Sequence, residues 1–332
     1  MDRKYVTEMV PADAAGIARA AEVLREGGLV AVPTETVYGL AARADKEDAV
    51  ARIYRAKGRP SFNPLIVHVR DRQQAAYFGD FAGTAGVVAE LVWPGPLTMV
   101  VPRVGDRGLA EAVAAGLPTV ALRAPSHPVM RALLEQIDFP LAAPSANRSG
   151  FISPTSAEHV RASLDGRIDL ILDGGPCEDG LESTILHIDG GGVWHELRPG
   201  PINLAALHDI LFDPHNPVEI RRGTGERGIE APGQLASHYS PGKPVRLNAT
   251  QAEAEEFMIG FGQVPGDVTL SASGDVNEAA SRLYGCLHLS SASDRPHVAV
   301  APVPEEGVGR AINDRLRRAA TPPDNDQSSS GS

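Results

Sequence analysis

Through the first 200 residues, short runs of β-branched and apolar residues alternate with stretches whose apolar residues recur at helical spacing. A chain that switches between these two periods lays helices over strands, which predicts an α/β domain with a mixed or parallel sheet. The spacing predicts strands at 29–33, 64–69, 97–102, 119–123, 141–143, 168–172, 183–188 and 193–197. The clearest helices are expected at 11–26, 46–56, 128–136 and 156–164. In the first of them Ile17, Ala20, Ala21 and Leu24 share one face, and Gly27-Gly28 stops the helix.

From about Leu204 to Pro244 the texture turns to breakers such as Asp213-Pro214-His215-Asn216-Pro217 and Ala231-Pro232-Gly233, which predicts a linker. Gln234, His238 and Tyr239 within it carry more chemistry than a tether needs. Beyond it, strands at 244–247, 268–270 and 297–300 with helices at 251–258, 276–288 and 308–319 make a second, smaller α/β domain. The expected division is a large domain over 11–205, a linker over 206–243, a small C-terminal domain over 244–320 and a tail over 321–332 too poor in apolar residues to order.

Charge and cysteine content narrow the function classes. The 332 residues hold 42 acids against 31 Lys and Arg, a net charge of −11, so the surface as a whole repels polyanions and any phosphate site must be local. Two cysteines, Cys177 and Cys286, supply neither a disulfide framework nor a four-cysteine zinc site, which favours a reducing, cytoplasmic setting. No apolar h-region follows the N-terminus, and the apolar stretch from Val87 to Val101 is broken by Glu90, Pro94 and Pro96, so neither secretion nor a membrane span is expected.

Five polar clusters lie against the strands. In the first, Pro33 to Leu40, two hydroxyls, a carboxylate and a phenol follow a strand, where α/β sheets place ligands; Thr34 and Thr36 equally suit a strand-end turn that caps backbone groups. In the second, Arg52, Arg55, Lys57 and Arg59 suit a triphosphate, or a basic turn at a helix C-terminus favoured by the macrodipole. Ser61, Asn63 and His68 follow, and a histidine in an apolar strand needs a polar partner, whether a ligand or a core group. The third places Arg123 after a strand, where it requires an anion: Glu, Asp or a substrate carboxylate. The fourth, Ala142 to Gly150 continuing to Ser153, combines small residues with Ser and Asn; by composition it is a loop. The fifth joins Glu182-Ser183-Thr184 to Leu197-Arg198-Pro199-Gly200, with Arg198 a further phosphate contact. No Gly-x-x-x-x-Gly-Lys-Ser/Thr loop, no Gly-x-Gly-x-x-Gly after the first strand, no Gly-x-Ser-x-Gly elbow and no Cys-x-x-Cys or His-x-x-x-His pair occurs.

Taken in order, Pro-Thr-Glu-Thr-Val-Tyr-Gly-Leu (33–40), Lys-Gly-Arg-Pro with Asn-Pro-Leu-Ile-Val-His (57–68), Trp-Pro-Gly-Pro-Leu-Thr (93–98), Ala-Pro-Ser-Ala-Asn (143–147), Glu-Ser-Thr-Ile (182–185) and Leu-Arg-Pro-Gly (197–200) closely resemble the YrdC-like family of threonylcarbamoyl-AMP synthases. The resemblance spans about residues 11–205. Ala231-Pro232-Gly233, His238-Tyr239-Ser240-Pro241, and the stretch from Glu306 to Leu316 resemble the linker and C-terminal domain of its long form.

The resemblance implies a twisted open mixed α/β sheet with a positively lined concave groove, of the YrdC-like and DHBP-synthase-like kind, and a small Rossmann-like α/β domain after it. It implies condensation of L-threonine, bicarbonate and ATP into L-threonylcarbamoyladenylate and pyrophosphate, for modification of a tRNA adenosine beside the anticodon. Position by position, Lys57, Arg59, Ser145 and Asn147 match the catalytic quartet around ATP and bicarbonate. Thr36, His68, Arg123, Ala143 and Ser183 match threonine contacts, and Asn63, Thr119, Ser153, Arg198 and Tyr239 match further ATP contacts. Mg²⁺ is expected through the ATP phosphates, with no metal ligands of the protein's own. Expected partners are the tRNA threonylcarbamoyl-transferase machinery and, weakly, tRNA itself. Tyr239 is expected to make the linker a lid over the groove. No residue stands out as general base.

Other readings fit less well. The carbamoyl-transfer module of hydrogenase maturation comes with zinc-finger cysteines, which this chain lacks. An RNA-binding module is opposed by the net charge. A degenerate regulatory relative is opposed by the intact motifs.

Overall fold

The structure, a computed structural model, describes residues 6–189, 192–211, 220–222 and 238–322. In chain order its first part contains β1 (Glu8–Pro11), α1 (Ala14–Arg25), β2 (Val30–Val32), β3 (Gly39–Arg43), α2 (Glu47–Lys57), β4 (Ile66–His68), α3 (Arg72–Phe78), α4 (Thr84–Val92) and β5 (Leu97–Pro102). It continues with α5 (Glu111–Ala114), β6 (Thr119–Arg123), α6 (Pro128–Glu135), β7 (Leu141–Ala142), α7 (Ala157–Leu164), β8 (Leu170–Asp173), β9 (Thr184–Ile188), β10 (Trp194–Arg198), α8 (Leu204–Leu211) and β11 (Ile220–Arg222). Asp13 starts α1 by accepting a hydrogen bond from the Gly16 amide at 2.8 Å. Gly16 is required there, because a Cβ would lie 1.9 Å from the Pro11 carbonyl oxygen.

These strands form one mixed sheet of eleven, in the order β1-β8-β2-β3-β7-β4-β6-β5-β9-β10-β11. Period-two alternation sorts its side chains between two layers. Leu29, Ala31, Ala42 and Ile171 join the core under α2, whereas Val30, Val32, Leu141, Leu170 and Leu172 join the core under α1 and α6. Farther along the sheet the second layer thins to a small cluster of Ile66, Val100, Ala121, Ile185 and Leu197. That thinly covered face leaves room for a cleft.

Strand registers then bring the polar motifs together. β4 and β6 run parallel with His68 beside Arg123, β5 runs antiparallel to β6, and β9 lies parallel to β5 with Leu97 beside Thr184. β10 returns antiparallel and sets Arg198 beside Ile185, and a bridge pairs Gly39 with Ser145.

The smaller domain contains β12 (Val245–Arg246), β13 (Glu256–Gly260), β14 (Val268–Thr269), α9 (Val276–Ala292), β15 (His297–Val300) and α10 (Gly309–Ala320). Its four strands are all parallel, ordered β12-β15-β13-β14. Its core takes in Val37, Ile152 and Leu181 from the first sheet domain and Tyr239 from the chain between them, so the two sheets share one apolar seam.

The helix expected at 251–258 is not formed, since residues 256–260 are the inner strand β13. Acids at 253, 255 and 256 suit a helix, but Met258 and Ile259 are buried within the sheet and Arg246 neutralises Glu256 at 2.6 Å. β1, β3, α3, α4 and α5 are not among the expected elements; β3 is Gly-Leu-Ala-Ala-Arg, whose small residues carry little strand signal. Within the stretch expected as linker, α8 ends and β11 pairs with β10; Gln234 and Ala231-Pro232-Gly233 lie outside the described residues. Among the described residues no helix is long and apolar enough to cross a membrane.

Leu122 is fully buried on β6. Leu122→Ala should lower the unfolding free energy by about 2–5 kcal/mol. The exposed control Leu289→Ala should stay within about 0.5 kcal/mol, both read from urea denaturation.

Candidate active site

One cavity collects residues from each of the five polar clusters. Convergent polar side chains in a concave site suit a small molecule. Of the fourteen residues singled out in the sequence, Thr36, Arg59, His68, Arg123, Ala143, Ser145, Ser183, Arg198 and Tyr239 line it.

The β2–β3 connection supplies its floor. Thr34 Oγ1 donates to the Val37 carbonyl at 2.7 Å and accepts from the amides of Thr36 and Val37, so Thr34 shapes the turn while Thr36 faces the cavity. Arg123 reaches across from β6. Its guanidinium pairs with Glu35 at 2.7 Å, donates to Thr36 Oγ1 at 2.9 Å and donates to the Gly95 carbonyl at 3.3 Å. The anion that Arg123 requires is therefore Glu35. Burial works to raise the Glu35 pKa, but the Arg123 charge and hydrogen bond overcome it and bring it to about 2. His68 is buried, its Nδ1 has no hydrogen-bond partner among the described residues, and burial together with the Arg123 charge lowers its pKa to about 3. It is a neutral imidazole facing the cavity.

Gly58, at φ 61°, ends α2 and turns the chain so that Lys57 and Arg59 diverge. Arg59 lines the cavity, donating to the carbonyls of Asn63 at 3.2 Å and Pro64 at 2.8 Å, and burial lowers its pKa to about 10. Lys57 does not line it. Its ammonium donates to the Ser145 carbonyl at 2.6 Å and the Asn147 carbonyl at 2.5 Å, and burial, aided by Arg59, holds its pKa well below the ordinary lysine value. Asn147 donates through Nδ2 to the carbonyls of Arg148 and Phe151. Lys57 and Asn147 thus brace, from behind, the loop that presents Ser145.

Ser183 precedes β9. Its hydroxyl bonds Thr98 Oγ1 at 2.7 Å and accepts from Arg198 at 3.1 Å, while Arg198 Nε donates to the Ser183 carbonyl. Gly200 lets that pair close: a Cβ there would lie 2.4 Å from the Thr184 nitrogen. Asn63 and Ser153 are buried outside the lining; Asn63 Oδ1 has no partner among the described residues, and Ser153 donates to Glu182 at 2.5 Å. Thr119 opens β6 four residues before Arg123, about 13 Å along the strand, and does not line the cavity.

Tyr239 and His238 complete the wall. Tyr239 is buried, packs edge-on to His238 at 4.1 Å and lies 5.6 Å from the Tyr284 ring. The next residue, Ser240, donates its amide to the Gly150 carbonyl. His238 Nδ1 has no partner among the described residues, and burial lowers its pKa to about 3. Sequence reasoning did not assign roles to Glu35, Glu182 and His238, although each stands inside a quoted motif.

A family profile described as telomere recombination, for the Sua5, YciO and YrdC proteins, matches residues 22–200. A second, described as threonylcarbamoyl-AMP synthase, C-terminal domain, matches residues 202–321. The chain belongs to the Sua5-type threonylcarbamoyl-AMP synthase family. Within it, the threonylcarbamoyl-AMP synthase of Bacillus subtilis is 38% identical, over 95% of this chain and 96% of that protein. That of Pyrococcus abyssi is 35% identical, over 91% of this chain and 93% of that protein. The crystal structure of P. abyssi Sua5 complexed with L-threonine aligns with a TM-score of 0.83 and 34% identity, covering 95% of this chain and 97% of that one. This likeness to a Sua5 structure extends through both sheets.

The burial that defines this Sua5-type site has a pH signature. His68 and His238 have folded pKa values near 3 against an ordinary 6.5, so the unfolded chain binds the extra protons and stability present above pH 6.5 is lost as pH falls toward 3. Glu35 and Glu182, near 2 against an ordinary 4.5, act in the same direction between pH 4.5 and 2. Urea denaturation at pH 5 should show an unfolding free energy lower than at pH 7.5 by about 2 kcal/mol per histidine; equal values at the two pH settings would contradict the burial of both rings.

Proposed function

We propose that this cavity takes L-threonine, bicarbonate and ATP and releases L-threonylcarbamoyladenylate and pyrophosphate, in the service of tRNA threonylcarbamoyladenosine formation. The observation that carries the reading is the convergence of Arg59, Arg123 and Arg198 with the neutral His68 on one cavity, in a chain of the synthase family.

The amine of threonine attacks the bicarbonate carbon, and loss of water leaves a carbamate. A carbamate oxygen then attacks the α-phosphorus of ATP, and the bond to the β-phosphate breaks with release of pyrophosphate. Anionic groups gather in both steps, so fixed cations in a water-poor cavity favour them. On the threonine side we place Thr36, His68, Arg123, Ala143 and Ser183. Arg123, held by Glu35, Thr36 and Gly95, turns its remaining N–H hydrogens to the substrate carboxylate in this scheme. Neutral His68 and the Ser183 hydroxyl suit threonine's hydroxyl and amine, and a site bonded to that hydroxyl rejects valine.

On the nucleotide side we place Arg59, Asn63, Ser145, Ser153, Arg198 and Tyr239, with Thr119 as an outlying contact. Lys57 and Asn147 act by holding Ser145 and by adding positive potential behind it. Among the described residues no three His, Cys, Asp or Glu side chains gather to hold a metal, and Mg²⁺ is proposed to enter on the ATP phosphates. No general base is assigned, since positioning lowers such a barrier substantially.

The same reading divides the chain into a catalytic domain over 11–205, a linker over 206–243, a C-terminal domain over 244–320 and a tail over 321–332. It places the protein in the cytoplasm beside the tRNA threonylcarbamoyl-transferase machinery, with a weak tRNA contact of its own. Tyr239 closes the nucleotide side in this scheme.

Incubation with ATP, Mg²⁺, bicarbonate and threonine should release pyrophosphate only when all are present; turnover without threonine or without bicarbonate would count against the assignment. Tyr239→Ala should raise the ATP KM by roughly tenfold or uncouple ATP consumption from adenylate yield. Unchanged kinetics would remove Tyr239 from the site.

A further inference from the structure

Glu182 lies in the wall of the cavity, one residue before Ser183, and most of its bonds come from the other domain. Its Oε1 accepts from Ser153 at 2.5 Å. Its Oε2 accepts from the Tyr284 hydroxyl at 2.7 Å and from Arg315 Nε at 2.9 Å, and those two residues stand on α9 and α10 of the smaller domain. Arg315 is 0% exposed and is aimed by a second ion pair to Asp314 at 2.8 Å. The same two residues pack on Tyr239: the Arg315 guanidinium carbon is 5.4 Å from its ring centroid and the Tyr284 ring is 5.6 Å away.

Burial alone would raise the Glu182 pKa, but the charges of Arg315 and Arg198 bring it to about 2, so the carboxylate is ionised when it receives these bonds. A buried ion pair is a poor source of net stability, because desolvation offsets most of its attraction, yet it fixes geometry closely. Here the geometry fixed belongs to Ser153 and Tyr239, both on the nucleotide side.

We propose that Arg315 and Tyr284 are positioning residues of the active site, which act through Glu182 and Tyr239 to hold the nucleotide side of the cavity. The inference rests on the synthase reading above. On the threonine side Ser183 is fixed by Thr98 and Arg198 and Arg123 by Glu35 and Thr36, so among the described residues neither takes a hydrogen bond from the smaller domain. The smaller domain therefore acts more strongly on ATP binding than on threonine binding.

The test uses the full chain and measures steady-state KM for ATP and for threonine, with thermal midpoints confirming that each variant is folded. Tyr284→Phe removes one hydroxyl and keeps the ring, while Arg315→Met removes the charge and Arg315→Lys keeps it. ATP KM should rise at least about fivefold in Tyr284→Phe and Arg315→Met, with part of the loss recovered in Arg315→Lys and threonine KM within about twofold of wild type. A folded Tyr284→Phe protein with wild-type ATP KM, or equal rises in both KM values, overturns the proposal. Should Arg315→Met fail to fold, Tyr284→Phe alone decides. A wild-type chain that releases no pyrophosphate from the complete mixture overturns the synthase reading itself, and this inference with it.

Discussion

Burying several cations around one cavity is the demand that the rest of this structure meets. Lys57, Arg59, Arg123 and Arg198 are each less than a tenth exposed, and a charge removed from water must be repaid by close partners. Among the described residues, only Arg123 of these four is given a carboxylate at contact distance. The others are steadied mainly by backbone carbonyls: Ser145 and Asn147 for Lys57, Asn63 and Pro64 for Arg59, Ser183 for Arg198. Carbonyl dipoles stabilise a cation without cancelling it, so the cavity keeps a positive potential inside a chain whose net charge is −11.

Those carbonyls exist only where the chain leaves regular structure. Each donor accordingly points at a loop: the turn after α2, the stretch after β7, the lead into β9. Sheet order then matters more than any single helix, because parallel β4 and β6 and the β5–β9 pairing hold loops from distant parts of the sequence at one place. Gly58 and Gly200 serve the same end, one by its left-handed turn and one by permitting backbone contact.

Much of this was legible in the sequence, for reasons that differ by element. β5 and β6 coincide with the predicted bounds because their apolar runs end sharply, at Pro102 and at Arg123. β3 and β13 were missed for opposite reasons. One is too rich in alanine to look extended, and the other follows acids that suit a helix until tertiary burial decides. At the site, the motifs named most of the lining, and the composition of each motif identified its donors. Composition could not say which donors were already occupied. That Arg123 meets Glu35, or that Lys57 turns away from the cavity toward carbonyls some ninety positions along, is settled by pairing across the sheet, which a single sequence does not encode locally.

The seam between the two sheets bears on modularity. Val37, Ile152 and Leu181 sit in the smaller domain's core, and Glu182 takes two of its bonds from that domain. A first domain separated from its neighbour would carry an ionised carboxylate short of two donors and an apolar strip open to water. The halves are thus not interchangeable parts. Grafting another C-terminal module onto this chain requires one that offers a hydroxyl and a guanidinium at the same place.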